Sequence, residues 1–160
     1  LGQTTLEDKL SETRNAIKNG ADEIDYVVNL TKLKAGDTAY IESEMARITD
    51  ICREFSVVSK VIFENCYLTE DEKKTLCHIA AKVKPDFIKT STGFGTGGAT
   101  LEDVALMKKE TEGSGVKIKA AGGIRTLKTA LEMIDLGVSR IGSTSSVAIM
   151  EEYMAHSPLL

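Results

Sequence analysis

The chain has 160 residues, 42% of them hydrophobic and 28% charged, which suits one globular domain with a buried core. Its net charge of −4 offers no basic surface for nucleic acid, and no apolar run is long enough to cross a membrane. The three cysteines are odd in number and lack CxxC spacing, so we expect a reducing, cytoplasmic environment and no metal site. The first residues carry no secretory signal, and the start at Leu1 instead of Met indicates a fragment or a processed product.

Helices and strands are predicted to alternate along the chain. The first helix opens with Thr4 and Glu7, spaced as in a capping box, and ends at Asn19-Gly20. A later helix starts with Thr69 and a run of acidic residues, which suits a helix N-terminus. In chain order the elements are helix 4–19, strand 23–30, helix 38–55, strand 59–65, helix 69–83, strand 86–91, helix 100–110, strand 116–121, helix 126–136, strand 139–143 and helix 145–153.

This alternation predicts an α/β fold with a parallel sheet. An open doubly wound sheet and a (β/α)8 TIM barrel both fit such a pattern. No GxGxxG sequence follows the first strand, whereas glycines follow the later strands, where barrels build phosphate sites. Because only five strands are visible, we expect a partial barrel that forms a single domain over residues 1–160.

Two lysines lie near the C-terminal ends of consecutive strands, Lys89 in FIKTST and Lys119 in KIKAAGG. Those ends share one face of a parallel sheet, and two ammonium groups held close together favour a neutral amine on one of them. A neutral amine can attack a carbonyl and form an iminium. Asp25, inside an apolar strand, would be their charge partner and proton shuttle. The alternatives are lysines that reach solvent and an aspartate at an exposed sheet edge.

Three loops rich in Gly, Ser and Thr precede predicted helices, at 90–100, 121–126 and 142–146. Glycines let the backbone approach a phosphate group, and helix N-termini attract it. Arg125 in the second loop adds a cation, so the loops predict a phosphate site.

Several polar residues near the strand ends allow more than one interpretation. Glu64 could line a pocket or pair with a neighbouring lysine, and Cys66 is expected to pack instead of acting as a nucleophile. Asn29 and Lys32 follow the first strand and could touch substrate, whereas Lys117 lies at the opposite strand end from Lys119, where we expect it to face solvent.

In chain order the sequence contains the segments GADEIDYVVNL, KVIFENCYLT, DFIKTSTGFGTGGAT, VKIKAAGGIRT and SRIGSTSSVAIM. Together they resemble the deoxyribose-phosphate aldolase family over residues 4–150 or so. The resemblance implies a (β/α)8 barrel that reversibly cleaves 2-deoxy-D-ribose 5-phosphate into D-glyceraldehyde 3-phosphate and acetaldehyde. It also implies that neither a metal nor an organic cofactor takes part.

The resemblance implies a role for particular residues of this chain. Lys89 would form the Schiff base, Lys119 would adjust the pKa of Lys89, and Asp25 would help activate a proton-relaying water. Implied phosphate contacts are Gly93, Gly122, Gly123, Arg125, Gly142, Thr144 and Ser145.

The resemblance further implies that the first three βα units of the barrel are absent, so that the visible strands correspond to the fourth to eighth. We do not expect a tyrosine-dependent C-terminal tail, because the segment 156–160 contains no tyrosine. Two alternatives stay open: another Schiff-base barrel enzyme of the transaldolase kind, and an inactive fragment that needs strands from a partner. Self-association into a homo-oligomer also stays open.

Overall fold

The computed structural model describes residues 1–156, so the last four residues of the predicted tail segment lie outside the described part. Its strands form one sheet in the order β1-β2-β3-β4-β5, and every neighbouring pair is parallel. The strands are β1 Glu23–Val27, β2 Val58–Ile62, β3 Phe87–Lys89, β4 Lys117–Ala121 and β5 Arg140–Gly142. The helices are α1 Leu6–Lys18, α2 Leu30–Lys34, α3 Thr38–Glu54, α4 Glu70–Val83, α5 Leu101–Glu110, α6 Leu127–Asp135 and α7 Ser146–His156.

The predicted order of helices and strands is confirmed, with the short helix α2 added, but four strands end earlier than predicted, β1 and β2 by the most. β1 stops at Val27 because the Asn29 side chain accepts a hydrogen bond from Lys32 N at 3.1 Å and caps the short helix α2. β2 stops at Ile62, and a 3₁₀ turn follows at Asn65–Tyr67. Side-chain capping and a tight turn thus take up residues 28–30 and 63–65, which were predicted to extend the two strands.

The cap predicted for α4 is confirmed, and the cap predicted for α1 is wrong. The capping box of α4 is present, since Thr69 N donates to Glu72 Oε2 at 2.7 Å and Glu72 N donates to Thr69 Oγ1 at 3.3 Å. For α1, the predicted pair of Thr4 and Glu7 is wrong by one residue. Thr5 is the cap, and its hydroxyl accepts from Asp8 N at 3.2 Å.

The two faces of the sheet differ because strand side chains alternate between them. Val61, Ile88 and Ile118 occupy paired positions on β2, β3 and β4 and are buried in the hydrophobic core with the helices. The other face carries charged residues in the rows on either side of this one, with Asp25 and Lys60 in one row and Lys89 and Lys119 in the other. Arg140 on β5 donates to Glu23 on β1, although these strands are at opposite edges of the sheet. The sheet therefore curls around this charged face, as the strands of a partial barrel do.

Large apolar side chains remain exposed on α6 and α7, next to the edge strand β5. We call this surface the α6–α7 apolar face. Its members are Leu131, Ile134, Val147, Met150, Tyr153 and Met154, which are between 41% and 73% exposed. Among the described residues, no helix is both long enough and apolar enough to span a membrane.

Candidate active site

Asp25 on β1 is the meeting point of the residues predicted to be catalytic. Lys89 Nζ donates to Asp25 Oδ2 at 2.7 Å, and Lys119 Nζ donates to the same oxygen at 3.3 Å. The two lysines hold paired positions on β3 and β4. Their side chains are only 11% and 17% exposed, so neither simply extends into solvent.

A third lysine completes the cluster, and sequence reasoning missed it. Lys60 Nζ lies 2.6 Å from Asp25 Oδ1 and 2.6 Å from Glu23 Oε2, and 1% of its side chain is exposed. Lys60 pairs with Asp25 in the register of β2 against β1. A lysine within an apolar strand needs a carboxylate partner when it is buried, so a signal was present in the sequence. We call Lys60, Lys89 and Lys119 the lysine cluster.

Glu23 extends this network to the last strand. Hydrogen bonds from Lys60 and Arg140 lower the pKa of Glu23, and the charges of both cations act in the same direction. Arg140 also lies over the Phe87 ring, with its guanidinium carbon 5.0 Å from the ring centroid. Glu23 therefore connects β1, β2 and β5 below the lysine cluster.

The surroundings lower the pKa of Asp25 and also that of Lys119. Burial alone would raise the pKa of Asp25, but hydrogen bonds and charges from Lys60 and Lys89 outweigh it and hold that pKa far below its usual range. Burial also lowers the pKa of Lys119, and the nearby charges of Lys89 and Lys60 add to this, although Asp25 opposes it. Asp25 thus stays ionised, while Lys119 gives up its proton more readily than an ordinary lysine.

A glycine-rich cleft of about 390 Å³ opens beside Lys89 and Lys119. It brings together most of the predicted phosphate-binding residues. Ser145 is not among its lining residues, and Ser143, which was not singled out as a phosphate contact, is. The lining residues are Lys89, Thr92, Gly93, Lys119, Ala121, Gly122, Gly123, Ile124, Arg125, Gly142, Ser143 and Thr144.

Two glycines hold the loops of the cleft against each other. A Cβ on Gly98 would lie 2.3 Å from the carbonyl oxygen of Gly122, and one on Gly122 would lie 3.0 Å from the Cα of Gly98. Ala99 N donates to that same Gly122 oxygen at 3.0 Å. Only glycine allows this contact between the loops that follow β3 and β4.

The remaining candidates have other contacts. Asn29 caps α2, and Lys32 lies 3.3 Å from Asp37, so both serve the α2 region. Lys117 is exposed and its nitrogen is 5.6 Å from the Phe87 ring centroid. Glu64 has no ion pair with a lysine among residues 1–156, because Thr92 occupies its carboxylate.

This arrangement suits covalent chemistry on a small carbonyl compound. Lys89 supplies an amine next to a proton-accepting group, and Asp25 stabilises cationic nitrogen. Arg125 and the backbone amides of the glycine loops can hold an anionic end of the same molecule. Within residues 1–156, no cluster of His, Cys, Asp or Glu is arranged to hold a metal ion.

Relatives with similar sequences are deoxyribose-phosphate aldolases. The enzyme of Lactobacillus acidophilus is 58% identical over 151 residues, which are 94% of this chain and 63% of the relative. That of Bacteroides thetaiotaomicron is 50% identical over 153 residues, which are 96% of this chain and 64% of the relative. The chain therefore spans slightly less than two thirds of the length of these two relatives.

Solved aldolase structures have the same fold. The aldolase QR15 superposes with a TM-score of 0.90 at 41% identity, covering 97% of this chain and 69% of QR15. A tetrameric deoxyribose phosphate aldolase from Aeropyrum pernix has a TM-score of 0.87 at 29% identity, covering 98% of this chain and 65% of that one. The family model described as DeoC/LacD family aldolase matches residues 2–144. With its lysine cluster and glycine-rich cleft on five strands of the barrel, the chain belongs to the DeoC/LacD family of aldolases.

Proposed function

We propose that the chain carries the site for reversible cleavage of 2-deoxy-D-ribose 5-phosphate into D-glyceraldehyde 3-phosphate and acetaldehyde. The observation that carries the proposal is the shared contact of Lys89 and Lys119 with one oxygen of Asp25, at the mouth of the glycine-rich cleft. The names and identities of the relatives support the choice of substrate.

The first step is attack of the Lys89 amine on the carbonyl of the open-chain sugar, with loss of water to form an iminium. Lys119 is the neighbouring group best suited to take up and return protons, because its lowered pKa leaves it neutral at lower pH than an ordinary lysine. Asp25 remains a carboxylate and stabilises the iminium as it stabilises the ammonium groups.

Carbon–carbon cleavage follows, with the iminium as the electron sink, while the proton of the C3 hydroxyl passes through an ordered water to neutral Lys119. D-glyceraldehyde 3-phosphate leaves, and the enamine of acetaldehyde stays on Lys89. A proton returned from Lys119 through an ordered water converts the enamine to an iminium, which water hydrolyses to acetaldehyde and free Lys89.

The phosphate group of the substrate would occupy the glycine-rich cleft. Gly122 and Gly123 have φ of +87° and +77°, conformations that expose backbone amides where a side chain would interfere. Arg125 adds a positive charge, and α6 begins directly after this loop. Thus one end of the sugar would be fixed while its carbonyl reaches Lys89.

Two other functions are compatible with parts of the molecule. A transaldolase-like enzyme would also use a Schiff-base lysine and a phosphate site, but its covalent intermediate would not be the enamine of acetaldehyde. An inactive fragment that needs a partner is favoured by the exposed α6–α7 apolar face.

Reductive trapping distinguishes these functions. The chain is incubated with acetaldehyde and borohydride, and the adduct is measured by intact mass and located by peptide mapping. A two-carbon adduct on Lys89, absent from Lys89→Ala and retained in the matched control Lys117→Ala, is expected. No adduct, under conditions where a full-length relative is trapped, would rule out activity of this chain alone.

We also propose that the chain is a cytoplasmic protein that associates with copies of itself. Its cysteines are free, which suits a reducing compartment, and the α6–α7 apolar face offers a surface for association. Light scattering across a concentration series would measure the mass directly, and a constant monomer mass would contradict self-association.

A further inference from the structure

Glu64, between β2 and the 3₁₀ turn, is fully buried and has an unusual backbone. Its φ and ψ are 56° and 57°, in the left-handed region that residues with a side chain seldom adopt. This conformation costs roughly 1 kcal/mol and persists where the surroundings hold the residue in place. The hydrogen bonds of the Glu64 carboxylate show what holds this residue in place.

Thr92 occupies both oxygens of the Glu64 carboxylate. Thr92 N donates to Oε1 at 2.9 Å, and the Thr92 hydroxyl donates to Oε2 at 2.5 Å. Thr92 itself lines the glycine-rich cleft and follows Lys89 by three positions. Glu64 therefore links the segment after β2 to the loop that leaves the candidate Schiff-base strand.

The same contact organises the next residues of the loop. Phe94 N donates to the Thr92 hydroxyl at 3.0 Å, so the amides on either side of Gly93 are both engaged. The amide of Gly93 itself has no acceptor among residues 1–156. Gly93 lines the cleft and has a φ of +95°. A free amide between two fixed ones is a preorganised donor for an anion.

A second contact ties the loop to the same segment. A Cβ on Gly95 would lie 2.7 Å from Cys66 Sγ and 3.4 Å from Glu64 Oε1, so the loop passes closely over Glu64 and the 3₁₀ turn. The position of the loop therefore depends on this segment at two separate points.

We propose that Glu64 is a positioning residue for the phosphate end of the substrate, an inference that rests on the proposed function. By binding both donors of Thr92, Glu64 fixes the turn at Thr92–Gly93–Phe94 and leaves the Gly93 amide for the phosphate. Glu64 does not touch the reacting carbon and acts through Thr92.

The variant Glu64→Gln tests this role with almost no change in volume. The amide side chain replaces one of the two carboxylate oxygens with an NH2 donor, so the two Thr92 donors no longer each meet an oxygen of their own. We expect the dissociation constant for inorganic phosphate, measured by titration calorimetry, to rise about tenfold, equivalent to about 1.4 kcal/mol. The rate of acetaldehyde adduct formation should fall by less than about twofold, since acetaldehyde has no phosphate group.

Further variants separate positioning from general damage. Thr92→Val should weaken phosphate binding like Glu64→Gln, and Thr92→Ser, which keeps the hydroxyl, should bind phosphate more tightly than Thr92→Val. The double variant Glu64→Gln/Thr92→Val should lose little more than either single one, because both remove the same contact. Glu112→Gln, an exposed change near the opposite ends of the strands, is the matched control and should bind phosphate as the unsubstituted chain does.

Phosphate affinity and acetaldehyde adduct formation test the positioning role and the proposed function separately. Unchanged phosphate binding by Glu64→Gln, equal losses in phosphate binding and adduct formation, or no phosphate binding by the unsubstituted chain would each overturn the positioning role. If the unsubstituted chain binds phosphate but forms no acetaldehyde adduct, the proposed function fails. The phosphate affinities of the variants would then still decide the role of Glu64.

Discussion

The charged face of the sheet and the α6–α7 apolar face contrast in how fully their side chains are partnered. On the charged face, Lys60 is nearly inaccessible yet has a carboxylate on each side, and Asp25 receives all three lysines. On the α6–α7 apolar face, Val147 is 73% exposed and Met154 is 63% exposed. Charged groups that are costly to bury are thus fully compensated, while apolar groups that favour burial are not.

This difference shows which parts of the chain determine the site. Asp25, Lys89 and Lys119 come from β1, β3 and β4, and the strand between β1 and β3 supplies Lys60. Contacts among the described strands therefore account for the geometry of the lysine cluster. The α6–α7 apolar face adjoins β5, which pairs on one side only within residues 1–156. Changes in the two regions should have separable effects on chemistry and on surface properties.

The largest effect is expected from Lys89→Ala. Removal of the nucleophile should lower the rate of deoxyribose 5-phosphate cleavage by at least about 10³-fold, because the covalent route is lost. A coupled assay for glyceraldehyde 3-phosphate measures the rate. Lys117→Ala, on the next strand but without a contact to Asp25, should keep its activity. Comparable losses in both variants would contradict the assignment.

Lys119→Leu should reduce kcat by about 10²-fold, the usual contribution of a positioned proton-transfer group. In the unsubstituted chain Lys119 has a lowered pKa and is available as a neutral base at lower pH than an ordinary lysine. Leucine cannot take up or release a proton, so the variant lacks the group that is neutral at this lower pH. The rising limb of the pH–rate profile should therefore move toward alkaline pH. A reduced rate with an unmoved profile would leave Lys119 without its proton-transfer role.

Asp25→Asn should destabilise the fold at neutral pH by about 2 kcal/mol, because charged hydrogen bonds to the lysine cluster are weakened. The pKa of Asp25 is depressed in the folded state, so the unfolded state binds the proton more readily. This stabilisation is complete above the ordinary aspartate pKa of about 4 and is lost as the pH falls toward the depressed value. Melting temperatures measured from neutral to acidic pH should fall less steeply in the variant, and parallel curves would contradict the sign.

Arg125→Ala should raise KM for deoxyribose 5-phosphate by about tenfold, through loss of a charge-assisted contact to the phosphate. Unphosphorylated deoxyribose serves as the control substrate, and its KM should change little. Equal changes with both substrates would remove Arg125 from the phosphate site.

The sequence could predict residues that follow from strand order but not those that depend on contacts across strands. Lys89 and Lys119 were accessible because the C-terminal ends of parallel strands meet at one edge. Lys60 was missed because its role depends on the register that pairs it with Asp25, 35 residues earlier. The link from Glu64 to Thr92 depends on a left-handed residue, which no local pattern indicated.

The smallest effect is expected on the α6–α7 apolar face, where Val147→Gln together with Met154→Gln replaces two exposed side chains. Stability should stay within about 0.5 kcal/mol for each change, since neither side chain is buried. Binding of the dye ANS should fall, because the apolar surface is smaller. The yield of acetaldehyde adduct on Lys89 should stay the same, because the lysine cluster has no hydrogen bond or ion pair to this face within residues 1–156. Loss of the adduct would mean that this face supports the site, and the two regions would then be coupled in spite of their different partners.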